Sequence, residues 1–419
     1  MLERKRGRFF KEACVPSNVF LLFFGANILV MLVALFVSGG SFLGDIVWDG
    51  KHAPDGVDFR SHIGLALSRN PYAPDKFYYP SADGAVFSPF SYFIYYIIGR
   101  MIPSAIKDSG VSNWDRLYLD ILECLNVCVI VLAGRKYVEK RTGVLLALFA
   151  CIILSHPFSF AVIKAGNSTL WVLSLLLMSL HMRNSENKLY RELSLVFLAM
   201  AACLKMTPAV LGLLWLKEKR YKEAFRLVLY GLVLFIPPFF FFGGLPAARN
   251  YLTFLHLYSG HLQARPETIP GVCMELADVL GFGLEKGLLF GKVLAFLYFA
   301  VVLGLVCFTK LNWKSYALLV TLLMILVNHT YPYTMIYLVI PVLLFVRETD
   351  LGFRRLDFVY AFLFPLVLAG YPFLKIDWPT ATFITNYFWL YITVFVLVAD
   401  KCSEFIKCRR ASTRTLTPR

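Results

Sequence analysis

The chain has 419 residues, of which 58% are hydrophobic and only 16% charged, with a formal net charge of +15. That balance excludes an ordinary soluble domain, since the apolar share is that of a chain solvated by lipid. The charge alone would suit a nucleic-acid binder, but its placement does not. Of 42 Lys and Arg, 28 fall in residues 1–17, 135–141, 183–191, 217–226, 309–314, 347–355 and 401–419, short segments lying between long apolar runs. This is the distribution of cytoplasmic segments under the positive-inside rule, so no nucleic-acid partner is expected.

The apolar runs are 19–38, 117–134, 142–160, 168–182, 192–216, 227–243, 288–308, 315–330, 334–346, 356–373 and 386–399. A segment crossing about 30 Å of hydrocarbon must satisfy its own backbone, so each run predicts a helix. Run 19–38 follows the basic MLERKRGRFFKEA and is too long for a signal-peptide core, so it reads as the first membrane helix. With 1–17 inside, residues 39–116 form a long first outer loop. Helices 117–134, 142–160 and 168–182 then alternate across the membrane. Run 192–216 has basic segments at both ends and is interrupted by Lys205 and Pro208. It predicts two half-helices that enter and leave from the cytoplasm, broken at Lys205-Met206-Thr207-Pro208. Run 227–243 leads to a second outer loop, 244–287, and the remaining helices bring the chain back to a cytoplasmic basic tail, 401–419.

The expected fold is therefore all-α, a polytopic bundle of about ten full crossings plus the hairpin. It is read as one membrane domain over 1–419, with both ends in the cytoplasm. Of nine cysteines only Cys273 falls in an outer loop, so neither a disulfide framework nor a metal-ligand spacing is expected.

The first outer loop is too long for a mere connector. It carries Asp45, Asp49, Asp55, Asp58, Asp75 and Asp83 among aromatics, with His52, His62, Arg60 and Arg69. Within it, 58–69 places Phe59, Ile63, Ala66 and Leu67 on one side at helical spacing, and 86–102 is aromatic and apolar. Both predict helices lying in the membrane interface. Taken singly, most of these carboxylates read as solvation of an outer loop.

Three stretches carry more. The first runs from Asp58-Phe59 through Asn70-Pro71-Tyr72 and Phe77-Tyr78-Tyr79-Pro80 to Phe87-Ser88-Pro89-Phe90. The second is His156-Pro157 followed by Gly166-Asn167, and the third is Leu204-Lys205-Met206-Thr207-Pro208. In order and spacing, over 58–226, they resemble the polytopic GT-C glycosyltransferases, specifically the family-87 enzymes that use polyprenyl-phosphate-linked mannose. The C-terminal half departs from that pattern. Tyr331-Pro332-Tyr333-Thr334 stands where the family often has an aromatic-Asp-His, with His329 the nearby imidazole, and Thr268-Ile269-Pro270-Gly271 replaces an Asn-Gln-Ser.

The resemblance implies an inverting transfer of a hexose, with mannose the sugar of the family. The donor would be a polyprenyl-phosphate-linked sugar, and the acceptor a hydroxyl of a glycolipid or cell-envelope glycan at the non-cytoplasmic face of the plasma membrane. Asp58 occupies the family's carboxylate position and is the expected general base, with Asp49 after Trp48 the alternative. Lys164, His156, Arg265 and His329 are the candidates for holding the donor phosphate. His62 lies one turn beyond Asp58, where it would touch and tune it, and Tyr72, Tyr79 and Asn167 complete the substrate loop. No metal is expected, because a lipid monophosphate can be stabilised by cationic side chains. Lys205 and Pro208 are expected to shape the hairpin break, away from the chemistry. The competing readings are a transporter or flippase, which would line a path with charges that the apolar runs mostly lack, and a polysaccharide polymerase or ligase. The latter would carry several Arg in each outer loop, where the second loop has Arg249 and Arg265.

Overall fold

A computed structural model of the chain describes residues 15–37, 57–74, 87–102, 113–137, 155, 158, 166–260, 264, 268–326, 332–368 and 381–415. The described residues contain helices and no strand. Among the described residues, three helices are long and apolar enough to cross a membrane: Leu117–Arg135, Tyr221–Phe241 and Leu284–Phe308. The protein is an all-α polytopic chain, as its runs predict, although most of run 142–160 lies outside the described residues. The described residues group into two compact units, one of residues 1–52, 134–159 and 264–419, the other of 53–133 and 160–263.

The second unit holds the described residues of 57–102 and the hairpin. Its helices are α2 (Val57–Leu67), α3 (Pro89–Met101), α4 (Asn113–Arg135), α5 (Thr169–Met182), α6 (Lys188–Leu204), α7 (Leu213–Lys217), α8 (Tyr221–Phe235), α9 (Pro237–Phe241) and α10 (Leu245–Gly260). With 11 and 13 residues, α2 and α3 span about 17 and 20 Å, too short to cross. They pack closely at Gly99, where a Cβ would come 2.8 Å from the Ile63 side chain.

Helices α5 and α6 are antiparallel and are clasped by two serines. The Ser179 hydroxyl donates to the Ser194 carbonyl at 2.7 Å, and the Ser194 hydroxyl donates to the Ser179 carbonyl at 2.8 Å. Such small hydroxylated residues let helix backbones approach where lipid offers no hydrophobic drive. Helix α6 starts on an Asn187 cap, whose side chain accepts from the Leu189 amide at 2.9 Å, and stops at Lys205, which is extended (φ −141°, ψ 121°). Pro208 then opens a 3-10 turn, Thr207–Gly212, that leads into α7. The run thus breaks at the expected tetrapeptide and folds back. Its two ends meet: Glu218 pairs with Arg183, Arg220 donates to the Arg183 carbonyl at 2.9 Å, and Arg226 pairs with Glu192. Cysteines introduced by Glu192→Cys and Lys219→Cys in a cysteine-free background will therefore label from the same side of the membrane. Labelling from opposite sides would make this run a full crossing.

The first unit comprises α1 (Pro16–Val37), α11 (Ile269–Val279), α12 (Leu284–Phe308), α13 (Trp313–Ile325), α14 (Val339–Leu351), α15 (Asp357–Leu368) and α16 (Ala381–Thr415), with a 3-10 segment at Pro332–Leu338 before α14. Helix α11 lies on α12 so tightly that a Cβ on Gly291 would sit 2.5 Å from the Pro270 Cα. Trp313 is the centre of an aromatic core, with ring centroids 4.8 Å from Tyr360, 5.1 Å from Phe345 and 5.8 Å from Phe364. Helix α16 continues well beyond residue 399, so much of the basic tail is helical.

Candidate active site

Asp58 lies in the first turn of α2, where the unpaired amides of a helix N-terminus favour a carboxylate. It is half-buried. The residue that reaches it comes from the start of α5. Gly166 adopts φ +61°, a conformation costly for residues with a Cβ, and this turns the chain ahead of Asn167. Asn167 is 1% exposed, and its Nδ2 donates to Asp58 Oδ2 at 2.7 Å. Its Oδ1 accepts from the Thr169 hydroxyl at 2.7 Å. That hydroxyl in turn accepts from Lys205 Nζ, again at 2.7 Å.

The four groups form one polarised chain. A threonine hydroxyl has one proton to give, and here it goes to the Asn167 carbonyl, leaving a lone pair for the ammonium. The amide then presents N–H to the carboxylate. Every bond runs from cation to anion, an order that strengthens each member. The arrangement suits a carboxylate that accepts, as a base must.

Lys205 is delivered by the hairpin. Helix α6 has 17 residues and so rises about 25 Å from the 183–187 turn, carrying its C-terminus to the start of α5. The expectation that Lys205 stays away from Asp58 therefore fails; it caps the break and also enters the carboxylate's hydrogen-bond chain. The last carbonyls of α6 are secured by the start of α3. The Ser91 hydroxyl donates to the Leu204 carbonyl at 2.8 Å, and the Ser88 hydroxyl donates to that of Cys203. These hydroxyls satisfy carbonyls that a helix end leaves without intrahelical partners.

Aromatic side chains wall the group. Tyr95 and Trp171 have ring centroids 5.5 Å apart, and Phe59 lies 6.2 Å from Tyr95 and 6.4 Å from Trp171. Trp171 Nε1 donates to the buried Glu123 at 3.2 Å. Lys205 Nζ is 5.7 Å from the Phe87 ring centroid, within cation–π range. Tyr72 is fully buried, donates its hydroxyl to the Phe87 carbonyl at 2.9 Å, and meets Tyr251 with centroids 5.1 Å apart.

His62 does not take the expected place against Asp58. Its ring is 4.3 Å from Phe87 and its Nδ1 lies 3.5 Å from the Tyr92 hydroxyl. Burial holds the imidazole down at about 3, with the Lys205 charge adding to the effect, so His62 is neutral across the physiological range.

Of the residues singled out in the sequence, the structure brings together Asp58, Asn167 and Lys205, with His62 and Tyr72 in the surrounding wall and Pro208 buried beyond the break. Asp49, Tyr79, His156, Lys164, Arg265 and His329 lie outside the described residues. Thr169 and Ser91 escaped sequence reasoning, and Ser88 entered it only as part of Phe87-Ser88-Pro89-Phe90. Thr169 sits two residues after Asn167 at a helix start, which was the available signal.

Compared with known proteins, the chain is matched over residues 116–341 by the family model described as Glycosyltransferase family 87. No curated protein and no solved structure matches it. The matched span holds Asn167, Thr169 and Lys205, and Asp58 is joined to that span by the 2.7 Å bond from Asn167.

Proposed function

Since the chain belongs to glycosyltransferase family 87, we propose that it transfers a hexose, mannose in the first instance, from a polyprenyl-phosphate donor to an acceptor hydroxyl at the non-cytoplasmic face. The observation that carries this reading is the Asp58 carboxylate, accepting from Asn167 at the head of a helix too short to cross the membrane. In the reaction the acceptor oxygen attacks the anomeric carbon, and its proton passes to Asp58. The bond from that carbon to the phosphate oxygen breaks, and polyprenyl phosphate departs with the electron pair. A single displacement inverts the anomeric configuration. The acceptor is a glycolipid or a cell-envelope glycan.

Sidedness is supported by the hairpin. The Asp58 group sits at the Lys205 end of α6, about 25 Å from the turn holding Arg183 and Arg220. Basic turns of that kind are retained in the cytoplasm. Lys164, His156, Arg265 and His329 are the residues proposed to hold the donor phosphate, so the reaction needs no divalent ion and no other cofactor. A monophosphate carries less charge than the diphosphate of a nucleotide sugar, which is within the reach of such side chains.

Membranes carrying the protein, incubated with radiolabelled polyprenyl-phosphate-mannose and a lipid extract, will form labelled product in the presence of a chelator. Activity lost to the chelator and restored by Mg²⁺ or Mn²⁺ would count against this donor class.

A further inference from the structure

We propose that Lys205 is a positioning residue for Asp58, keeping the carboxylate ionised and aimed through Thr169 and Asn167. The inference rests on Asp58 being the base. Its geometric ground is the run of three 2.7 Å hydrogen bonds, from ammonium to hydroxyl to amide to carboxylate. All three intermediate contacts have their donors and acceptors in the order that a cation at one end and an anion at the other require.

The surroundings make such a counter-charge necessary. On its own helix Asp58 has Arg60 and His62 as titratable neighbours, and His62 is held neutral by burial. Helix α3 brings Tyr92 and Tyr95, and Asp58 acts directly on the Tyr95 hydroxyl. Glu123 of α4 acts on the same hydroxyl from its bond to Trp171 and adds negative charge to the group. Lys205 faces it from the end of α6, through its bond to Thr169. A nearby cation favours the charged form of a carboxylate set among aromatic rings, and Lys205 supplies that cation. Its placement is independent of α5, because Ser88 and Ser91 fix the carbonyls immediately before it. The lysine is thus held rigidly at one end of the chain and the carboxylate at the other.

The test is the pH profile of kcat/KM for the purified protein with polyprenyl-phosphate-mannose. Ionisation of the base sets the acidic limb. Lys205→Met removes the cation, so Asp58 will need a higher pH to ionise and the limb will move up by about one pH unit. Lys205→Arg, which keeps the charge, will hold the limb near its wild-type position. Thr169→Val, close in shape but without the hydroxyl, will lower kcat at least tenfold and move the limb in the same direction, while Thr169→Ser will restore both. Donor KM will stay within a few-fold in every variant. A well-folded Lys205→Met protein with its limb unmoved would overturn the inference. So would one whose main change is a tenfold rise in donor KM, which would make Lys205 a phosphate ligand instead. Should Lys205→Met not fold, wild-type behaviour of Thr169→Val overturns it equally. Asp58→Asn, run alongside, separates the two readings. If that variant retains transfer, the assignment of the base has failed; if it is inactive and the Lys205→Met limb stays put, only the positioning role has failed.

Discussion

Asp58→Asn will lose most of its turnover, by about 10²–10⁴-fold, the usual contribution of a positioned general base. The substitution keeps the size of the side chain, and an amide oxygen turned to Asn167 would still accept the Nδ2 proton that Asp58 Oδ2 accepts at 2.7 Å in the wild type. What it removes is the ability to take the acceptor's proton. The wall of Phe59, Tyr95 and Trp171 is untouched, so the folded state should be little affected. Donor binding should persist, because the phosphate contacts are assigned to other residues. The measurement is single-turnover transfer by purified protein, with donor binding followed separately. His62→Gln should cost less, since His62 contacts Phe87 and Tyr92. Near-normal transfer by Asp58→Asn together with loss in Asp49→Asn would move the base to Asp49. Activity in both variants would remove the base from this loop.

The second large effect is on stability, and it arises in the first unit. Lys314, at the start of α13, is 1% exposed, and its ammonium pairs with Asp400 of α16 and lies 3.7 Å from Asp357 of α15. Arg354 meets Asp400 at 3.1 Å and the Tyr360 hydroxyl donates to the same oxygen at 3.3 Å. Alongside, Lys401 is fully buried, pairs with Glu404 at 3.0 Å and donates to the Lys310 carbonyl at 2.8 Å. Each charge is tolerated because it is paired and hydrogen-bonded. Lys314→Met leaves two buried carboxylates facing each other with one counter-charge fewer. Removing one member of a buried ionic group typically costs about 3–5 kcal/mol. The thermal unfolding midpoint in detergent should therefore fall markedly. Adding Asp400→Asn to Lys314→Met should recover part of the loss, since it removes one of the stranded charges. A midpoint unchanged by Lys314→Met would mean that the network does not hold these helices together.

Much of the fold could be read in advance because lipid leaves the backbone few choices. An apolar run in hydrocarbon must be helical, and the basic segments mark where each run ends. The hairpin was legible for two local reasons. Pro208 cannot continue a helix, and both ends of the run are basic, which is where Glu218–Arg183 and Arg226–Glu192 now pair. Asp58 and Asn167 stood out through resemblance, yet their bond joins residues 109 apart in sequence and no local pattern announces it. The charge pattern places Lys205 towards the cytoplasm, whereas the length of α6 carries it to the Asp58 group. Seventeen residues at about 1.5 Å each reach almost across the hydrocarbon. The Lys314–Asp400 network was hidden for another reason. Its members lie at the edges of apolar runs, where a charged residue reads as a solvated topological marker, and only the packing of α13, α15 and α16 buries them.

This glycosyltransferase is proposed to draw its sugar from a lipid phosphate. The deciding assay uses purified protein in lipid nanodiscs, free of other enzymes and given an acceptor lipid extract. Labelled mannose is supplied either on polyprenyl phosphate or on a nucleotide, in separate reactions. Label passing to the acceptor from the polyprenyl-phosphate donor alone, and lost in Asp58→Asn, is the predicted result. Label passing from the nucleotide sugar and not from the lipid would contradict it.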